Sequence, residues 1–142
     1  DLNITEEKAS QKSLADFTLS VDAKQISGPS TADYGIFFRE NSELYGYYFE
    51  INNDGEYVLQ LYNNEWTNLI NYTKSDLIHP GEANRITVIA EGSHFTFLIN
   101  GQYLTEFTDQ RMKAGQVGLT TTLHDANQHA IFEFDNFELR AP

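Results

Sequence analysis

Two sets of residues in this chain have types and spacings that could do chemistry. The first is spread over three short segments and comprises Phe37 and Arg39, Tyr48 and Glu50, and Gln60 and Tyr62. Aromatic rings stack on the C–H face of a pyranose, while guanidinium, carboxylate and amide groups hydrogen-bond its hydroxyls directionally. The second lies near the end of the sequence, where Glu133, Asp135 and Glu138 have the spacing Glu-x-Asp-x-x-Glu. Two carboxylates on one strand face are what a retaining glycosidase uses, one as nucleophile and one as general acid/base. Other constellations are thin. His79, His94, His124 and His129 lack the H-E-x-x-H spacing of a zinc site, and Ser93-His94 falls in a turn. The sequence has no nucleophile elbow and no phosphate-binding glycine loop.

The elements that must position these residues are strands. Residues 16–26 alternate, with Phe17, Leu19, Val21 and Ala23 on one face and Thr18, Ser20, Asp22 and Lys24 on the other. Further strands are predicted at 34–39, 44–51, 57–62, 66–72, 85–90, 95–99, 103–107, 116–123 and 130–139, with 73–83 a loop and 109–114 a single helical turn. Asn52-Asn53-Asp54-Gly55 and Asn100-Gly101 are hairpin signals, because Asn, Asp and Gly tolerate positive φ. About ten strands without a sustained 3.6-residue period predict an all-β, two-sheet antiparallel sandwich, with a barrel as the structural alternative.

Parity then assigns faces. Tyr34, Ile36 and Phe38, then Tyr45, Tyr47, Phe49 and Ile51, then Tyr57, Leu59 and Leu61 are expected to point inward. If the three strands are neighbours, Phe37, Arg39, Tyr48, Glu50, Gln60 and Tyr62 share one open sheet face. The plainer reading of the same residues is a cross-strand Arg39–Glu50 salt bridge flanked by packed aromatics. Trp66, the single Trp, is a stacking platform if exposed and a packed anchor if buried, the commoner fate of a lone Trp.

Composition narrows the partners. With 9 Lys+Arg against 21 Asp+Glu the net charge is −12, which disfavours nucleic acid and anionic membrane surfaces. No apolar run approaches the ~18 residues of a transmembrane helix. Cysteine is absent, so disulfides and thiolate metal sites are ruled out. The sequons at Asn3 and Asn71 are no more than the Asn, Ser and Thr content gives by chance. A start at Asp1 rather than Met fits a mature product or an excised domain. Residues 1–15 read as a polar lead-in or edge strand, and 16–142 as one domain.

The segments DFTLSVDAKQISG (16–28), YGIFFRE (34–40), LYGYYFEINNDGEYVLQLYNNEWTNLI (44–70), NRITVIAEGSHFTFLINGQYLTEFTD (84–109), GQVGLTTTL (115–123) and FEFDNFEL (132–139) together resemble the concanavalin A-like lectin/glucanase jelly rolls. Within that superfamily they are most similar to small bacterial laminin-G-like domains described as 3-keto-disaccharide hydrolase-like. The resemblance implies a jelly-roll fold. Its members include lectins, glycosidases, accessory modules and sensor ectodomains, so it leaves function open. Glu133, Asp135 and Glu138 match the carboxylate motif of family 16 glucanases, but that motif lies mid-chain there, whereas Glu138 stands four residues from the end here. Related jelly rolls often carry a structural Ca²⁺, for which Asp125, Glu133, Asp135 and Asn136 are the oxygen ligands on offer. No other cofactor is implied.

The expectation is therefore a non-catalytic carbohydrate-recognition or sensor module of a larger extracellular or periplasmic bacterial protein. Arg39, Tyr48 and Glu50 would form its centre, with Phe37, Gln60 and Tyr62 around them. The alternatives are a protein-interaction or structural domain that binds no sugar, and a glycoside hydrolase using Glu133 and Glu138.

Overall fold

The computed structural model describes residues 12–142, so the polar lead-in at 1–11 lies outside the described residues. Ten strands follow one another: β1 (Phe17–Ser27), β2 (Asp33–Glu40), β3 (Gly46–Asn52), β4 (Glu56–Tyr62), β5 (Trp66–Lys74), β6 (Asn84–Glu91), β7 (His94–Ile99), β8 (Gln102–Thr108), β9 (Gln116–Thr122) and β10 (Ile131–Arg140). They form two five-stranded antiparallel sheets, in the orders β10-β1-β6-β7-β8 and β5-β4-β3-β2-β9. The segment 109–114 forms no helical turn; it is irregular chain leading into β9, and Gly115 bridges back to Leu14.

Turn chemistry sets the hairpins. Asn100 and Gly101 both have positive φ, 53° and 79°, which lets the β7–β8 turn follow the right-handed twist of its strands. Asn52 closes the β3–β4 turn by accepting hydrogen bonds from the backbone amides of Asp54 and Glu56.

The core lies between the sheets and is largely aromatic. Phe49 stacks on Phe97 at 4.3 Å, and Phe38 meets Tyr47, Phe95 and Phe17 at 5.1, 5.0 and 5.8 Å. Parity holds for Phe17 through Ala23 in β1 and for Tyr34, Ile36, Phe38, Tyr47, Phe49, Ile51, Tyr57, Leu59 and Leu61, all of them buried. It fails at Tyr45. That residue precedes β3, is half-buried, and packs edge-on against Tyr62, an outward residue, at 5.6 Å.

Parity also fails at Arg39. Opposite β9, Phe37 pairs with Gly118 but Glu40 pairs with Gln116, so β2 carries one extra residue there. Arg39 takes φ +54°, and the bulge turns its side chain away from the open face and into the end of the sandwich. It is 1% exposed, donates to the carbonyls of Ala15 and Met112, and lies 5.0 Å above the Phe95 ring. The cross-strand pair with Glu50 does not form.

Candidate binding face

The outward face of β5-β4-β3-β2-β9 carries the candidate site. Register puts Gly118, Phe37, Tyr48, Gln60 and Asn68 in one row across β9, β2, β3, β4 and β5. Five strands thus bring together residues up to 81 positions apart in sequence, from Phe37 to Gly118.

One end of the face is aromatic. Phe37 lies 6.2 Å from Tyr48, Tyr48 5.0 Å from Trp66, Trp66 4.8 Å from Tyr62, and Tyr62 5.6 Å from Tyr45. The five rings form a continuous band. Trp66 begins β5 at the sheet edge, directly across from Tyr62, and is 57% exposed. A lone Trp is more often a buried anchor, but an edge strand leaves one side of the ring in water. The band has polar fittings. Tyr48 Oη donates to Glu40 Oε2 at 2.5 Å with the Leu44 carbonyl 2.8 Å away, and Gln60 Nε2 donates to Asn68 Oδ1 at 2.9 Å. Burial raises the Glu40 pKa despite the hydrogen bond from Tyr48, and burial followed by Glu40 raises that of Tyr48.

The other end is acidic and unusually enclosed. Glu50 is 1% exposed, although it points away from the core. Both its carboxylate oxygens accept from Thr122 Oγ1, at 3.1 and 3.0 Å. Burial first, and then the charge of Asp33, push its pKa up to about 8. Opposite Glu50 stands Gly35, where a Cβ would sit 2.1 Å from the Phe49 carbonyl oxygen, so no side chain fits there. Asp33 is also 1% exposed and accepts from Asn52 Nδ2 at 3.1 Å, from Tyr72 Oη, and lies 2.7 Å from His124 Nε2. Glu50 thus has a single donor, whereas Asp33 has three neighbours that can donate to it.

The fold brings Phe37, Tyr48, Glu50, Gln60 and Tyr62 together on one face, and removes Arg39 from it. Glu40 takes the place parity gave Arg39, because the bulge hands the outward position to the next residue. Sequence reasoning missed Asp33, Tyr72, Thr122 and His124. The first three end or line strands whose pairing partners are remote, and His124 sits just after β9, so no local signal marked them.

The C-terminal carboxylates lie elsewhere. Glu133 and Glu138 are exposed on the outward face of the opposite sheet, paired in register with Lys24 and Ser20. Their backbones are four β1 positions apart, roughly 13 Å. Glu138 is held by Arg85 Nη2 at 2.6 Å, an ion pair in which Glu133 has no part. Asp135 accepts from the Asn136 amide, and Asn136 Nδ2 donates to Asp22. Among the described residues, no three His, Cys, Asp or Glu are grouped as a metal site.

Solved structures with the same fold are known. A carbohydrate-binding module, CBM66 from Bacillus subtilis, superposes with a TM-score of 0.78 at 19% identity, covering 94% of this chain and 83% of that one. Sheep galectin-11, in complex with glycerol, gives 0.63 at 12% identity over 89% of this chain and 95% of the other. A putative glycosyl hydrolase from Parabacteroides distasonis gives 0.64 at 15%, covering 94% and 82%. These likenesses show the fold, a two-sheet jelly-roll sandwich of concanavalin A-like type. A search of curated protein sequences finds no match. A family profile matches residues 6–140, nearly the whole chain, and on that ground the chain belongs to the 3-keto-alpha-glucoside-1,2-lyase-like domain family.

Proposed function

We propose that the outward face of β5-β4-β3-β2-β9 recognises a carbohydrate, as an accessory or sensor module of a larger extracellular protein. The observation that carries this reading is the aromatic band centred on the 57%-exposed Trp66, beside the polar Gln60–Asn68 pair. Trp66 and Tyr62 supply the stacking surface. Gln60, Asn68 and Glu40 are placed to bond sugar hydroxyls, and Glu50, with one donor on its carboxyl, has capacity for a further partner. The acidic surroundings suit a neutral sugar at this face. The fold shared with a carbohydrate-binding module and a galectin is in keeping with the reading.

The test is a glycan and polysaccharide array followed by calorimetry. A hit should weaken roughly five- to tenfold in Trp66→Ala, because aromatic stacking contributes on the order of 1 kcal/mol. Binding that survives loss of both Trp66 and Tyr62 would remove the aromatic band from the site.

Glu50 favours a second reading. A carboxyl with a pKa of about 8 is largely protonated at neutral pH and can act as an acid toward a bound sugar. The family is named for lyase-like domains. Incubation with 3-keto-α-glucosides would show product formation lost in Glu50→Gln; inactivity of the wild-type chain on them would leave recognition alone.

A further inference from the structure

Arg39 is displaced from the open face into a setting of its own. It holds a positive φ in a non-glycine residue, and its side chain is 2% exposed. A guanidinium has five N–H bonds. Three go to backbone carbonyls: Nε and Nη2 donate to Ala15 O at 3.1 and 2.8 Å, and Nη1 donates to Met112 O at 3.1 Å. One N–H on each terminal nitrogen is left over. The nearest carboxylate, Asp16, stands 3.8 Å from Nη2 and already accepts from the Gly92 amide at 2.9 Å. The charge of Arg39 is thus met by two carbonyls, the long Asp16 contact and the face of Phe95, which is sparse compensation for a buried cation.

Arg39 lines a cavity of about 280 Å³ at the end of the sandwich, together with Ala15, Gly92, Gln110, Met112 and Lys113. Lys113 is exposed and makes no ion pair among the described residues. The other carboxylate at the rim, Asp109, is taken up by Arg111 at 2.6 Å and by the hydroxyl of Tyr47 at 2.5 Å. Arg39, Arg111 and Lys113 against Asp16 and Asp109 leave a local charge of +1 (three minus two), on a chain whose net charge is −12. At about 30 Å³ per water the cavity holds roughly nine waters, the scale of a monosaccharide.

We propose that this cavity is a second binding site, distinct from the open face, for a carboxylate-bearing ligand of about monosaccharide size. Its carboxylate would be received by the two remaining N–H bonds of Arg39 and by Lys113. Ala15 and Met112 would pack its apolar side. The site needs nothing from the aromatic band, so it stands or falls independently of sugar recognition there.

The experiment is an NMR titration of ¹⁵N-labelled protein at constant ionic strength with sodium D-glucuronate, D-glucose, sodium acetate or sodium sulfate. Glucuronate should shift the amides of Gly92, Ser93, Gln110, Met112 and Lys113 saturably, and glucose should not. Lys113→Glu, an exposed change that leaves the fold intact, should weaken glucuronate about tenfold through charge reversal. Gln110→Trp should weaken it by filling the cavity, while Trp66→Ala should leave it unchanged. Absence of shifts with glucuronate, equal shifts with glucose, or unchanged affinity in Lys113→Glu would overturn the proposal. Acetate or sulfate binding as tightly as glucuronate would equally overturn it, since the sugar-sized body would then contribute nothing.

Discussion

The two outward faces of the sandwich are built by opposite rules. On β1 and β7 the alternation is strict, with every second residue buried in the core and the residues between them partly exposed to solvent. That face carries half-exposed pairs such as Arg85 with Asp22 and Glu138, and a Ser20–Thr87 hydroxyl contact. On β3 all seven residues are buried, so Tyr48, Glu50 and Asn52 are enclosed although they point away from the core. Neighbouring rings and the ends of β2 and β9 wall them in. A surface that only needs solubility has no reason to enclose a carboxylate at a desolvation penalty. Polar groups retained under such a penalty mark the face where binding is worth seeking.

That contrast can be broken at several points. The largest effect belongs to the core side of β3. Phe49→Ala, which removes a ring stacked on Phe97, should destabilise the domain by roughly 3–5 kcal/mol in urea unfolding, whatever the pH. A loss below about 1 kcal/mol would mean the inward side of β3 is not the structural one.

Glu50 tests the outward side, with the opposite sign. Its folded pKa of about 8 lies above the ordinary 4.5, so the folded chain binds its proton more tightly than the unfolded chain. The contribution to stability is therefore complete below about pH 4.5 and is lost as pH rises through about 8. Glu50→Gln should remove that decline and raise stability at pH 8 by about 2–4 kcal/mol, with little change at pH 4.5. Parallel stability–pH curves for the two proteins would show that the enclosure of Glu50 carries no electrostatic cost.

Trp66→Ala should separate stability from binding. More than half of the residue is exposed, so unfolding free energy should change by less than about 1 kcal/mol while ligand affinity falls roughly five- to tenfold. A large stability loss would recast the aromatic band as a second core. The smallest effect is expected on the opposite face. Arg85→Ala, which breaks pairs whose side chains are about a third to a half exposed, should shift stability by about 1 kcal/mol or less and leave sugar binding unaltered.

Much of this was legible in the sequence. All ten strands were readable from two-residue periodicity and turn residues, since both are local properties of the chain. The inward set Tyr47, Phe49 and Ile51 followed from parity, and the shared face of Phe37, Tyr48, Gln60 and Tyr62 from parity once β2, β3 and β4 are neighbours. Parity failed at Arg39 and Tyr45 for different reasons. At Arg39 an extra residue in β2 resets the alternation, and nothing in Phe37-Phe38-Arg39-Glu40 announces a bulge. Tyr45 stands just outside β3, after Leu44 at φ 67°, where strand parity no longer applies.

By itself, then, the sequence determined the class of fold, its turns, the aromatic core and the acidic balance, because each depends on residue type and short-range spacing. Tertiary structure decided that Trp66 is exposed, that Asp33, Glu50, Tyr72, Thr122 and His124 meet at one end of a sheet, and that Arg39 lines a cavity instead of a face. Those outcomes depend on which strands pair, in which register, and where a single bulge falls. Contacts between residues as far apart as Asp33 and His124 are fixed only when β9 pairs with β2 in register.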